Sequence, residues 1–319
     1  MRYVIYGAGA IGGTIGGRLF EHGHDVTLIA RGEHRQALAE RGLTLVSPER
    51  TVQLDIPTVE HPSQIEFEDD DVVVLAMKSQ DTDPAVQALA AVAPTTITIV
   101  TAQNGVANER FALRRFAHVV AMCVMLPAEH LEPGVVVAYA APIAGILDVG
   151  RFPHGSDSTV ERIARELTSS GFDSRAEPRI MRAKYGKLLM NLGNALEAAC
   201  GPEARGSGLY KQAKAEGIAC LDAAGIDVAS DDEDRARRGD TLKMQPVNGH
   251  ARDGGSSWQS LARETGAIET DHLNGEIVLL GRLHDVPTPV NEALQRVANR
   301  MARERVAPGT LSPEEVLSG

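Results

Sequence analysis

Residues 3–13 read YVIYGAGAIGG. Tyr3 to Tyr6 is a short β-rich run, and Ala10 to Glu21 suits a helix. Between them, Gly7-Ala8-Gly9-Ala10-Ile11-Gly12 spells GxGxxG. In that setting each glycine has a task. Gly7 permits a tight turn, Gly9 lets the backbone approach a pyrophosphate, and Gly12 lets helix and strand pack closely. The free N–H groups at the start of the helix, with its dipole, favour an anion. Glycine-rich turns are common, so the motif carries weight only because a strand precedes it and a helix follows. The context predicts a dinucleotide-binding turn.

The next strand is Asp25 to Ile29, followed by Ala30-Arg31-Gly32. A carboxylate at the end of such a strand accepts hydrogen bonds from a ribose 2′-hydroxyl but repels a 2′-phosphate. A guanidinium does the reverse and can hold the phosphate through two donors. Residues 28–32 contain no acid, so Arg31 points to NADP. The competing view is an exposed loop arginine paired with nearby Glu33. Arg35 is a candidate second phosphate contact.

The alternation continues. Arg35 to Arg41 suits a helix ended by Gly42, DVVVLA (71–76) and TITIVT (96–101) suit strands buried on both faces, and Pro84 to Val92 and Glu109 to Arg115 suit helices. Val119 to Met125 is extended, Gly134 to Val149 forms a pair of extended segments, and Ser158 to Ser170 is helical. Strands alternating with helices imply βαβ units, hence a Rossmann-type, doubly wound parallel sheet. After about Pro178 strand candidates stop. Lys184 to Cys200, Leu209 to Ala224, Trp258 to Arg263, Ile268 to Leu283 and Val290 to Arg305 all suit helices. The expected fold is α/β, with an NADP-binding domain over residues 1–178 and a mostly helical substrate domain over 179–319. The charge run Ser230 to Asp240 is expected to be a solvated helix start, and the tail after Ala307 to fray.

Composition excludes several partners. The 319 residues carry a net charge of −11 and only 4% aromatics. With no basic block, nucleic acid is an unexpected partner. No apolar run is long enough to span a membrane. Three cysteines without CxxC spacing give no disulfide framework, which suits a reducing, cytoplasmic setting. His22 and His24 flank a turn without a nearby third ligand, so no metal is expected. His250, in a polar loop, is a weaker substrate-contact candidate. The subunit count stays open, a homodimer being one arrangement.

Further motifs follow in order. Met77-Lys78-Ser79-Gln80 comes after DVVVLA, and Gln103-Asn104-Gly105-Val106 after TITIVT. The second half supplies Lys187-Leu-Leu-Met-Asn191, Ser256-Ser257-Trp258 and Glu269-Thr-Asp271-His-Leu-Asn-Gly275. This set resembles the ketopantoate reductase family over nearly the whole chain. The resemblance implies a Rossmann domain followed by a helical domain and NADPH-dependent reduction of a 2-oxo acid. It further implies that Gly7, Gly9, Gly12 and Arg31 hold the cofactor, and that Lys78 and Asn104 line its side of the site. Lys187 matches the catalytic lysine and Asn191 the asparagine one turn later, while Ser257 and Glu269 complete the substrate site.

The chemistry suits these residue types. A lysine ammonium can protonate a ketone oxygen while stabilising the developing alkoxide. Ser257 and Asn191 can donate to a carboxylate or hydroxyl, and Glu269 can orient Lys187 or bind a substrate hydroxyl. Lys184, Lys187, Asn191 and Asn194 also fall on one helical stripe at i, i+3, i+7 and i+10, which adds Asn194 as a substrate-binding candidate. Three positions depart from the ketopantoate pattern. Ala195 and Gly254 stand where asparagines are common, and Leu261 where an aspartate is common. A related enzyme for another 2-oxo acid, a dehydrogenase for another hydroxy acid or imine, and a non-catalytic NADPH sensor are the competing readings.

Overall fold

The computed structural model describes residues 1–130 and 132–318. It divides into two compact units. One comprises residues 1–104, 108–181 and 235–252; the other comprises 105–107, 182–234 and 253–319.

The first unit starts with β1 (Tyr3–Tyr6), α1 (Ala10–Glu21), β2 (Val26–Ile29) and α2 (Gly32–Arg41). It continues through β3 (Leu43–Val46), β4 (Thr51–Leu54), β5 (Thr58–Val59), β6 (Val72–Leu75), α3 (Thr82–Ala90), β7 (Thr98–Thr101) and α4 (Asn108–Leu113). Then come β8 (His118–Met125), β9 (Ala128–Glu129), β10 (Val135–Ala138), β11 (Ile146–Arg151) and α5 (Ser158–Ser169). Seven strands form the main sheet in the order β11-β8-β7-β6-β1-β2-β5, parallel except for the β11 edge. The strands are short and apolar because both faces are covered. Ile5, Val74 and Val100 join one core with α1 and α5, while Val4, Val73 and Ile99 join another with α3 and α4. Tyr6 is in register with Ile29 and with Leu75, and Leu75 with Thr101. Hence β1, β2, β6 and β7 end along one line, the carboxyl edge where open α/β sheets bind ligands.

Sequence alone did not suggest a second sheet, in the order β4-β3-β10-β9. It packs on the other side of α1, and the glycines of that helix serve both neighbours. β-Carbons on Gly12 and Gly16 would press on Ile5 at 2.9 Å. On Gly13 one would press on Val136 at 2.7 Å, and on Gly17 on Leu43 at 3.1 Å.

The helical unit contains most of α6 (Ile180–Asn191), then α7 (Gly193–Cys200), α8 (Gly208–Ala223), the start of α9 (Asp231–Arg238), α10 (Ser256–Ala262), α11 (Asn274–Leu283), α12 (Pro289–Glu304) and α13 (Pro313–Ser318). Three expectations need correction. The helix expected over 184–200 breaks at Leu192, and that over 268–283 is a 3-10 turn (Glu269–His272) followed by α11. The tail does not fray: Gly309 and Leu311 donate backbone N–H groups to Ala198 and Ala199, and Val316 is fully buried. Residues 235–252 group with the strands rather than with the helices. Arg237 binds Asp148 at 2.6 Å and Asp173 at 2.8 Å, and Gln245 N–H donates to the Tyr139 carbonyl. No helix among the described residues is long and apolar enough to cross a membrane.

Candidate active site

The cofactor side follows from the carboxyl edge. Gly7 has φ +101°, a left-handed conformation that suits glycine, and a β-carbon there would meet the Met77 nitrogen at 2.7 Å. On Gly12 it would collide with the Gly7 carbonyl oxygen. On Gly9 it would meet nothing closer than His130 Cδ2 at 3.9 Å. Gly7 and Gly12 therefore close the turn, while Gly9, the N-cap of α1, keeps open space beside it. Ala8, Ala10 and Ile11 complete this turn. Its shape fits a diphosphate against exposed N–H groups.

Arg31 is exposed at the N-cap of α2, with Nη2 3.5 Å from the Tyr6 hydroxyl. Among the described residues it makes no ion pair with Glu33. Lys78 follows β6 and caps the 3-10 turn Ser79–Asp81. Asn104 follows β7. A buried network joins these two loops: Asn108 Nδ2 donates to the Asn104 carbonyl at 3.0 Å and to Ser79 Oγ at 3.1 Å. Thr82 Oγ1 donates to Asn108 Oδ1 at 2.8 Å, and Gln103 Nε2 donates to Thr82 Oγ1 at 2.7 Å.

In the helical unit, Lys187 and Asn191 lie one turn apart on α6, Asn194 is on α7, Ser257 is the second residue of α10, and Glu269 opens a 3-10 turn. The polar stripe is not a solvent face, since Lys184, Asn191 and Asn194 are all buried. Three bonds draw the pieces together. Asn274 Nδ2 donates to the Leu192 carbonyl at 3.1 Å, and Thr270 Oγ1 donates to Asn274 Oδ1 at 3.3 Å. They tie the turn carrying Glu269 to the residue after Asn191. Gly255 N–H donates to Glu197 Oε1 at 2.7 Å, tying the approach to Ser257 onto α7.

Asn191 Nδ2 is buried without a hydrogen-bond partner among the described residues, and so is Ser256 Oγ. Buried donors are normally satisfied, so each of these leaves a hydrogen bond unmade within the fold. Ser256 belongs to the Ser256-Ser257-Trp258 motif, and it is the unpartnered Oγ that adds it to Ser257 as a candidate. Asn194 is differently placed. Its Oδ1 accepts from Arg205, which also donates to Glu197. The departure at Gly254 goes with Trp258. Gly254 has φ +52°, and a β-carbon there would meet Trp258 Cγ at 2.5 Å, so the indole fills the space of a side chain at 254. Ala195 and Leu261 are buried apolar residues. No group of three His, Cys, Asp or Glu side chains among the described residues could hold a metal ion.

Residues 3–153 match the family model Ketopantoate reductase PanE/ApbA, and residues 179–302 match Ketopantoate reductase PanE/ApbA C terminal. The chain belongs to the ketopantoate reductase family. Family membership makes it an oxidoreductase acting between CH–OH and C=O. Among its relatives in the family, the 2-dehydropantoate 2-reductase of Halobacterium salinarum is 29% identical over 95% of this chain and 100% of its own. The ketopantoate reductase of Ralstonia eutropha is similar in structure, with a TM-score of 0.79 at 28% identity over 96% of this chain and 99% of its own. D-mandelate dehydrogenase, solved with NADH and anilino(oxo)acetate, shares the fold: TM-score 0.81 at 20% identity, over 96% of this chain and 99% of its own.

Proposed function

We propose that this ketopantoate reductase family member reduces a 2-oxo acid to the 2-hydroxy acid with NADPH, 2-dehydropantoate being the first substrate to test. The observation that carries the reading is Asn191, which buries an unpartnered amide one helical turn from Lys187. That pairing offers a directional donor for the substrate beside an ammonium for its carbonyl oxygen.

The cofactor side of the reading rests on the open space at Gly9 and on Arg31. The Gly7–Gly12 turn would hold the diphosphate, Arg31 the 2′-phosphate, and Lys78 and Asn104 would line the remaining length. Bound NADPH supplies the hydride. Lys187 donates a proton to the ketone oxygen as charge develops there, and its positive charge stabilises that oxygen before transfer is complete. Asn191 and Ser257 orient the substrate through its carboxylate and hydroxyl, fixing which carbonyl face is presented. Glu269, only 4% exposed, would orient the ammonium or accept from a substrate hydroxyl. With Oδ1 engaged by Arg205, Asn194 would meet a ligand chiefly through its amide N–H.

The test is steady-state NADPH oxidation against a panel of 2-oxo acids, with wild type and Lys187→Ala. Turnover of 2-dehydropantoate with the highest kcat/KM, and a loss of about 10²–10⁴ in kcat for the variant, are expected. No consumption of NADPH with any 2-oxo acid would end the reading. Trp258, in the space at residue 254, favours a second possibility: an acid with a different side group leading the same panel.

A further inference from the structure

Two histidines that the motifs do not include stand at the phosphate turn. His34, in the first turn of α2, places Nε2 2.8 Å from the Ala8 carbonyl oxygen. Its other nitrogen, Nδ1, lies 2.9 Å from the Gly134 N–H. A backbone N–H only donates, so Nδ1 must accept. A carbonyl only accepts, so Nε2 must carry the hydrogen. The two partners fix one neutral tautomer. Protonating Nδ1 would set N–H against N–H, and burial also lowers the basicity of this ring. The His130 ring packs against His34 at a tilt of 51°, centroid to centroid 4.1 Å, and its Nδ1 faces the Val135 carbonyl at 3.0 Å. The Cδ2 edge of His130 is the first protein atom across the space that the missing side chain of Gly9 leaves open.

The Ala8 carbonyl and the Gly9 N–H belong to the same peptide group. A donor on that carbonyl draws electron density toward oxygen and leaves the N–H more positive, the cooperative effect seen along hydrogen-bond chains. It also stops the peptide from turning over, which would aim an oxygen at the anion. We propose that His34 is a positioning residue of the dinucleotide site: its Nε2–H orients and polarises the Ala8–Gly9 peptide toward the cofactor diphosphate, while His130 buttresses it and walls the far side of the gap. The need for such a device follows from charge. The chain carries −11 overall, so a diphosphate must be held by local dipoles as much as by cations.

The inference rests on the cofactor reading above and deepens it. The test measures NADPH and NADH affinity by calorimetry for wild type, His34→Ala, His34→Gln, His34→Asn and His130→Ala, with a thermal midpoint for each. Glutamine reaches the Nε2 position with an amide N–H; asparagine reaches the Nδ1 position with an oxygen and leaves Ala8 unserved. His34→Gln should keep both affinities within about threefold of wild type. His34→Ala and His34→Asn should weaken both coenzymes about 5- to 30-fold alike, because the diphosphate is common to them, which is the scale of one hydrogen bond. His130→Ala should weaken both by a smaller factor. The His34→Asn and His34→Gln comparison separates this role from plain stability, since both variants retain one of the two native bonds. Equal affinities for His34→Gln and His34→Asn would overturn the inference while leaving the cofactor reading intact. Failure of wild type to bind either coenzyme would overturn the cofactor reading, and this inference with it.

Discussion

The side-chain amide of Asn274 donates to the main-chain carbonyl of Leu192 across 82 residues of sequence, at 3.1 Å. The bond falls where α6 gives way to α7. The same amide nitrogen donates to Asn291 Oδ1 at 3.0 Å, and Asn291 in turn donates to the Ala213 carbonyl and to Glu216. All of this is fully buried at Asn274 and Asn291. Asn274→Ala therefore strands two acceptors and the Thr270 hydroxyl donor, and a loss on the order of 2–4 kcal/mol in denaturant unfolding is expected. Because the bond also anchors the turn carrying Glu269, turnover should fall more than the fraction of folded protein.

Asn191 behaves oppositely. Its Nδ2 lacks a partner among the described residues, so Asn191→Ala gives up little within the fold. The unfolding midpoint should stay within about 0.5 kcal/mol of wild type. The KM for the oxo acid should rise roughly 10- to 100-fold, as expected for one buried bond to a charged or polar ligand.

Arg31→Ala should lower the preference for NADPH over NADH by about 1.5–3 kcal/mol, the worth of a charge-assisted bond. Calorimetric titration with each coenzyme measures this directly. The effect differs from that of His34 variants, since only the phosphorylated coenzyme should suffer.

Gly254 and Trp258 should be energetically coupled. Gly254→Asn can adopt the left-handed backbone, but its β-carbon meets the indole. A cost of about 1–3 kcal/mol is expected, and it should shrink in a Trp258→Ala background. A double-mutant cycle on unfolding free energies reads the coupling; simple additivity would show that the ring moves aside freely.

Arg237 holds the Asp173 carboxyl below its ordinary value of 3.8, chiefly through their hydrogen bond. The folded carboxyl thus keeps its charge to lower pH than the unfolded one. The stabilisation is complete above about pH 5 and fades as pH falls through the folded value. Midpoints for wild type and Asp173→Asn should differ by a constant amount at neutral pH and converge only as the pH falls below the carboxyl's ordinary value.

The alternating core of the first unit was legible because its parallel strands are covered on both faces, and DVVVLA and TITIVT look like nothing else. The second sheet was not. β3 is four residues long and pairs with β10 about ninety positions away, and β4 is also only four residues, with just Val52 and Leu54 on its inner face. Pairing of that kind is settled by distant neighbours rather than local preference. The break at Leu192 was equally hidden, since its φ of −58° and ψ of −27° still belong to a helix and the apolar rhythm runs through it. Candidate site residues were found by motif and spacing. His34 and His130 were not, because a single histidine carries no pattern until burial and partners are known.

α1 is gripped from both sides, its paired glycines letting each sheet come within van der Waals reach of the helix backbone. A gripped helix cannot rock when charge arrives at its amino end. The anion would thus meet donors already aimed and stationary, and little ordering entropy would be charged against association. Bulk added at Gly17, where a β-carbon would meet only Leu43, Leu45 and Leu54, would loosen that grip and should be felt first as a faster coenzyme off-rate.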